Sequence, residues 1–250
     1  MSIERELESL AVTAPVTVEE GTLLGTGVAD GYAVFDSPVG EVIVAFNPTG
    51  VSAVDVAEDA AFERFGDRFG RRLLEARPPR GWDTKINRAI DKGTPGSLAV
   101  DFRSVTDFQH EVLDVAARIP RGEVRPYGWL AKEIGNPGAV RAVGSTMAKN
   151  PVPLIIPCHR VVRTDGHIGA YSLGGPHNKT LLLDVEGTHP DDIEDLARRH
   201  VRFYATDTTG IYCYPTCRNA RRVTDRHRIE LHSVDEAEAG GFRPCKVCRP

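Results

Sequence analysis

Two β-rich runs flank Pro38 and Gly40 in YAVFDSPVGEVIVAF, residues 32–46, and that alternation around a turn predicts a β-hairpin. Residues 57–76 place Phe62, Phe65, Phe69 and Leu73 at spacings of 3, 4 and 4, which predicts an amphipathic helix. RPPRGW, 77–82, breaks it, and LAVDF, 98–102, predicts another short strand. Thr106 opens a helix, with Gln109 completing a capping box; its apolar face is Phe108, Val112, Val115 and Ile119, and Pro120 and Gly122 end it. YGWLAKEIG, 127–135, and GAVRAVGSTMAK, 138–149, predict two short helices joined by Gly135-Asn136-Pro137, the second stopped by Asn150-Pro151. Their outline is that of a helix-turn-helix, shared with many helical hairpins in cores. PVPLIIPCHRVV, 151–162, is stiffened by its prolines and predicted to be extended. A glycine-rich loop follows over 165–176, then a helix through KTLLLDVEG, 179–187, and a charged linker helix in HPDDIEDLARRH, 189–200. A small unit punctuated by Gly, Pro and Cys completes the chain.

A chain of 250 residues with 41% apolar and 26% charged positions is ordinary for a globular protein of two or three domains. MSIERELESL has no signal-peptide core, and no apolar run reaches the length of a bilayer span. A soluble, cytoplasmic protein without a membrane partner is expected.

The net charge of −4 is uneven along the chain. Residues 1–117 carry 11 Lys/Arg against 20 Asp/Glu, 118–180 carry 9 against 3, 181–200 carry 2 against 6, and 201–250 carry 9 against 6. Two basic segments on an acidic protein suggest a polyanionic partner. Solvated surface charge clustered by chance reads the same way.

Each basic segment holds a cysteine site. Cys213, Cys217, Cys245 and Cys248 form C-x3-C and C-x2-C, and Cys158 stands alone. Four thiolates on one metal plus a separate reactive thiol fit this count; two disulfides plus a spare thiol compete, and a cytoplasmic setting disfavours them. A unit of about 50 residues has too small a core to stand easily alone, so a metal would make up the difference. For Cys158 to act as a nucleophile its proton must be removed. His159 is adjacent, and a bridging water suits two neighbours on an extended segment better than a direct bond. A histidine base needs a third group to hold its tautomer, and Glu186 is the candidate. A buried structural cysteine beside a hydrogen-bonded histidine is the bland alternative.

IPRGEVRPYGWLA, RAVGSTMAKNPVPLIIPCHRVV, DGHIGAYS and K-x-x-L-L-x-x-E-G closely resemble the O6-alkylguanine-DNA alkyltransferases, also called methylated-DNA–protein-cysteine methyltransferases. DSPVGEVIVAF and TDFQHEVLDVAARIP resemble the family's N-terminal part more loosely, so the likeness covers about residues 30–187. It implies an α+β fold with an N-terminal small antiparallel sheet with helices (ribonuclease H-like), a helical winged-helix-like core and a small zinc-bound α+β domain. The implied divisions are an extension over 1–30, an α/β domain over 31–103, a DNA-binding and alkyl-acceptor domain over 104–188, a linker over 189–200 and a zinc domain over 201–250.

The resemblance implies that Cys158 accepts the alkyl group once and irreversibly, with no cofactor for that step. His159, Glu186 and a water would form its relay, and Asn150 would be the hinge beside it. Arg141 would fill the base stack from the minor groove, Tyr127 would press on the phosphate, and Tyr171 and Ser172 would hydrogen-bond the flipped guanine. The partner implied is alkylated double-stranded DNA, bound by a monomer that is nucleoid-associated through DNA. Base extrusion agrees with elementary geometry, because a thiolate cannot reach an O6-methyl inside a stacked pair. YSLGGPHNK departs from the family's Y-x-G-G by one residue, Leu173.

TTGIYCYPTC and EAEAGGFRPCKVCRP resemble the Ada-type zinc domain. That likeness implies one Zn2+ on Cys213, Cys217, Cys245 and Cys248, with Cys213 taking a methyl from a DNA phosphotriester. The family carries Arg after the first ligand where this chain has Tyr214. The alternative reading is a sensor of alkylated DNA with a purely structural zinc.

Overall fold

The computed structural model describes residues 16–250; the extension over 1–30 lies in part outside the described residues. Helix α1 (Val16–Thr26) leads into a meander of β1 (Ala29–Phe35), β2 (Val42–Asn47) and β3 (Gly50–Val56). The predicted hairpin is β1 and β2, antiparallel, with Tyr32 opposite Ala45. Helix α2 (Ala60–Phe69) then carries the chain back across the sheet, so β4 (Arg72–Glu75) adds to β1 in parallel. A crossover helix of this kind is what a parallel neighbour requires. The sheet, ordered β3-β2-β1-β4, is therefore mixed, where a purely antiparallel one was expected.

The helix predicted over 57–76 is shorter for the same reason. Gly70 adopts φ 64° and caps α2, a left-handed position that favours glycine, and Leu73 lies in β4. LAVDF contributes one bridge, Val51 to Val100, and no strand. Helix α3 (Trp82–Lys92), unmarked by the sequence pattern, buries only Ile86, Ala89 and Ile90 among its charges.

Helix α4 (Asp107–Ala116) has the predicted capping box: Gln109 N donates to Thr106 Oγ1 at 3.3 Å, and Thr106 N to Gln109 Oε1 at 2.9 Å. The two-residue strand β5 (Arg125–Pro126) leads into α5 (Tyr127–Glu133), and a 3-10 turn over Pro137–Ala139 into α6 (Val140–Ala148). β5 pairs in parallel with β6 (Val161–Val162). Helices α7 (Pro176–Val185) and α8 (Pro190–Arg198) follow. Sheet and helices share one core, which includes Val42, Val44, Ile86, Leu113, Leu130 and Ile155.

The C-terminal unit has β7 (Phe203–Thr206), β8 (Ile211–Cys213), β9 (Arg228–Leu231) and β10 (Arg243–Pro244) in the order β10-β8-β7-β9, with helix α9 (Val234–Ala239). Phe203, Ala205, Tyr212, Leu231 and Ala237 form its own small core. Ser233 caps α9 by accepting from Glu236 N, but Glu236 answers to His232 N in place of the cap residue. Among the described residues no helix is long and apolar enough to cross a membrane.

Candidate functional site

Every residue from 151 to 160 is buried, and the segment is tightly looped where extension was expected. Leu154 takes φ 70°, costly for a side chain with a Cβ, and Cys158–Arg160 form one turn of 3-10 helix. The prolines explain the departure. They withhold backbone donors and fix φ, so side chains add to the few backbone bonds of the loop, such as Ile156 N to Val152 O. Asn150 does this work: Oδ1 accepts from Val152 N at 3.1 Å, while Nδ2 donates to Ile156 O at 2.9 Å and to Cys158 Sγ at 3.2 Å.

Cys158 is 4% exposed. Burial pushes its thiol pKa up, opposed by the Asn150 hydrogen bond, the Lys179 charge and the Tyr171 hydroxyl. That hydroxyl is itself buried and has no hydrogen-bond partner among the described residues. His159 donates from Nε2 to Glu186 Oε1 at 3.0 Å. Holding the proton on Nε2 leaves Nδ1 as the basic nitrogen, and Nδ1 is buried without a hydrogen-bond partner among the described residues. Burial keeps the imidazole pKa low against the pull of Glu186. For Glu186, burial alone would raise the pKa, but hydrogen bonds from His159 and Arg160 overcome it and bring the value to about 2.

Two residues essential to this arrangement escaped the sequence reading. Arg160 is 1% exposed and donates to both Glu186 oxygens, at 2.9 and 2.7 Å, and to the carbonyls of Lys92, Gly93 and Ile119. It ties the Glu186 carboxylate to the end of α3. Lys179 is equally buried and donates to Val161 O and Ile168 O at 2.7 Å, joining β6 to the glycine loop. Burial lowers its pKa to about 8. The available signal was a cation set inside an apolar run. With Arg125, these make three buried cations in the segment counted as basic, so its surface is less positive than the sum of its charges.

Of the expected DNA contacts, Arg141 and Ser172 are exposed and Tyr127 and Tyr171 half-buried. Tyr171 packs edge-on against His159 at 6.3 Å. The extra residue Leu173 turns inward, 2% exposed. With Asn150, Pro153 and Ser172 it walls a cavity of about 390 Å3 against Val54, Phe65 and Arg68 of the N-terminal unit.

The cluster of His159, Glu186 and Arg160 sets an expected acid response. His159, with its folded pKa below 6.5, resists a proton that the unfolded chain accepts, so stability falls as pH drops below about 6.5. Glu186, at about 2 against an ordinary 4.5, stabilises the fold above 4.5, and that stability is lost as pH falls toward 2. The Glu186 share is about 2–3 kcal/mol. Urea midpoints measured from pH 7 to pH 3 should decline across both windows; a flat series would contradict the buried His159–Glu186–Arg160 cluster.

In the C-terminal unit the sulfurs of Cys213, Cys217, Cys245 and Cys248 all lie within 4.8 Å of one another and are buried. None is in a disulfide. Tetrahedral Zn–S bonds of about 2.3 Å set S···S separations of about 3.8 Å, so the cluster fits one Zn2+. Asn219 Nδ2 and Val247 N each point at Cys245 Sγ at 3.4 Å, as partners of a ligating thiolate do. Of the four, Cys213 alone lines a cavity of about 350 Å3, shared with Thr208, Thr209, Asn219, Arg222 and His227. Tyr214 turns away, beside Arg125 and Phe203.

Residues 107–188 match the family model described as 6-O-methylguanine DNA methyltransferase, DNA binding domain, and residues 195–250 match the metal binding domain of Ada. The chain is 32% identical over 167 residues to a methylated-DNA–protein-cysteine methyltransferase of Methanosarcina acetivorans, covering 63% of this chain and 98% of that protein. Against the bifunctional transcriptional activator/DNA repair enzyme Ada of Escherichia coli it is 36% identical over 166 residues, 63% of this chain and 46% of Ada. Among solved structures, Mycobacterium tuberculosis OGT in complex with DNA matches with a TM-score of 0.51 and 32% identity, over 67% of this chain and 98% of that one.

Proposed function

The chain belongs to the methylated-DNA–protein-cysteine methyltransferases, and we infer that it repairs alkylated DNA at two sulfurs, Cys158 for O6-alkylguanine and Cys213 for backbone methylphosphotriesters. The placement of a buried thiol beside a carboxylate-held imidazole with a free nitrogen carries the first assignment. The Cys158 proton passes through a bridging water to His159 Nδ1, and Glu186 stabilises the imidazolium. Sulfur attacks the alkyl carbon, a C–S bond forms, and the C–O6 bond breaks with its electrons on O6. The guanine anion then takes up the proton that Cys158 gave to His159, returned through water. The thioether has no leaving reaction, so each chain acts once.

Access requires the nucleotide to leave the stack. Helices α5 and α6 serve as the helix-turn-helix of a winged-helix-like reader of double-stranded DNA. Arg141, exposed at the start of α6, fills the vacated stack, Tyr127 presses on the phosphate, and Tyr171 and Ser172 hold the base. Leu173, next to Ser172 in the glycine loop, faces the ribonuclease H-like N-terminal sheet across the cavity that Val54 lines.

When bound, Zn2+ keeps the four sulfurs deprotonated and nucleophilic at neutral pH. Cys213 faces the cavity that Arg222, Thr208 and Thr209 line, donors suited to phosphate oxygens. The Arg222 guanidinium there takes the part that the family gives to the arginine after the first ligand.

Peptide mapping tests both assignments. Duplex with labelled O6-methylguanine should leave one methyl on the Cys158 peptide, and duplex with labelled methylphosphotriester one on the Cys213 peptide. Label released over many turnovers, or carried elsewhere, would overturn the reading.

A further inference from the structure

The zinc unit grips α5 at both ends. Between the first two zinc ligands, Thr216 Oγ1 accepts from Val124 N at 2.9 Å, and just past the second, Arg218 N donates to Glu123 Oε1 at 3.1 Å. Tyr214 lies 5.3 Å from the Arg125 guanidinium, whose other aromatic neighbour is the Trp129 ring at 5.7 Å. At the far end of the helix, Arg249, next to the ligand Cys248, pairs with Glu133.

The gripped segment is the one that positions the chemistry. Gly122 N donates to Glu186 Oε2 at 3.3 Å. A Cβ at Gly122, φ 75°, would meet Glu186 O at 2.8 Å, so the approach is closed to any other residue. Arg125 and Pro126 pair with Val161 and Val162, directly after the Cys158 turn. Tyr127 is the first residue of α5. Glu123 and Arg125 are an ion pair, 1% and 2% exposed. A pair so buried needs its remaining hydrogen bonds satisfied, and one of them comes from the zinc loop.

We propose that Tyr214 and Thr216, in the loop between the first two zinc ligands, are positioning residues for duplex repair at Cys158, acting through residues 122–126 on Tyr127. The four thiolates fix this loop, so the metal also steadies the base-repair site. The proposal rests on the base-repair reading, whose own failure shows as no label on Cys158 in the unaltered chain.

The test uses the full chain with Trp82→Phe, so that Trp129 is its only tryptophan. Removing zinc with a chelator should shift Trp129 emission and slow methyl transfer from duplex; unchanged emission would overturn the proposal. Tyr214→Ala and Thr216→Val should each retain one zinc per chain and slow duplex repair about tenfold, while reaction with free O6-benzylguanine changes less than about twofold. Tyr214→Phe, which keeps the ring against Arg125, should restore the duplex rate. Equal slowing with duplex and free base, no slowing of either variant, or failure of Tyr214→Phe to restore the rate would sink it.

Discussion

The Cys158→Ala chain is expected to bind duplex containing O6-methylguanine as tightly as its parent and to remove no methyl from it. The change deletes one buried sulfur, whose one hydrogen bond comes from Asn150, and Asn150 keeps its bonds to Val152 N and Ile156 O. The loop therefore holds, and the cost to stability is about 1 kcal/mol. Arg141 and Ser172 keep their exposed positions, so binding has no reason to change. Chemistry has no substitute, because the other cysteines are those of the C-terminal cluster. Gel shift and label transfer measured on one preparation separate the two effects. The same variant should still take one methyl at Cys213 from a methylphosphotriester, which shows that the two sulfurs answer to different lesions. Residual transfer from O6-methylguanine would remove Cys158 from its place.

What the sequence carried well was chemistry concentrated in short motifs. Cys158, His159, Asn150 and Glu186 lie together in the fold, since P-C-H-R fixes two of the positions, Asn150-Pro151 a third and the helix after the glycine loop the fourth. The four thiols likewise announce their own cluster. What it carried poorly was anything decided by a distant partner. Leu73 continues the apolar period of α2, yet Gly70 ends that helix and β1 claims Leu73 for the sheet. Helix α3 shows little apolar pattern because only one narrow face is buried. Lys179 and Arg160 look like surface charge in a count, but each lies inside the core with carbonyl or carboxylate partners. Tyr214 stands where the family carries an arginine, and it packs against Arg125, a residue far away in the chain. No periodicity records a pairing of that kind; only the folded chain brings the two together.

Glu186→Gln should slow duplex repair about a hundredfold and lower stability by about 3 kcal/mol. The amide is nearly isosteric, so its oxygen still accepts from His159 Nε2 and the tautomer is kept. What disappears is the charge. The imidazolium that forms as Cys158 loses its proton then sits in a buried site with Arg160 beside it and no anion between them. Proton removal becomes unfavourable, and the thiolate is scarce when the base arrives. Arg160 suffers in the resting state too: a guanidinium 1% exposed loses its only carboxylate among the described residues, and the carbonyls of Lys92, Gly93 and Ile119 cannot neutralise it. Calorimetry should register the second effect as a Tm lowered by roughly 6–12 °C. Single-turnover transfer at a temperature where both chains are folded registers the first. Raising the pH should recover part of the rate in the variant, because bulk deprotonation then replaces the relay. A variant as fast as its parent at neutral pH would mean that Glu186 holds Arg160 and plays no part in activating the thiol.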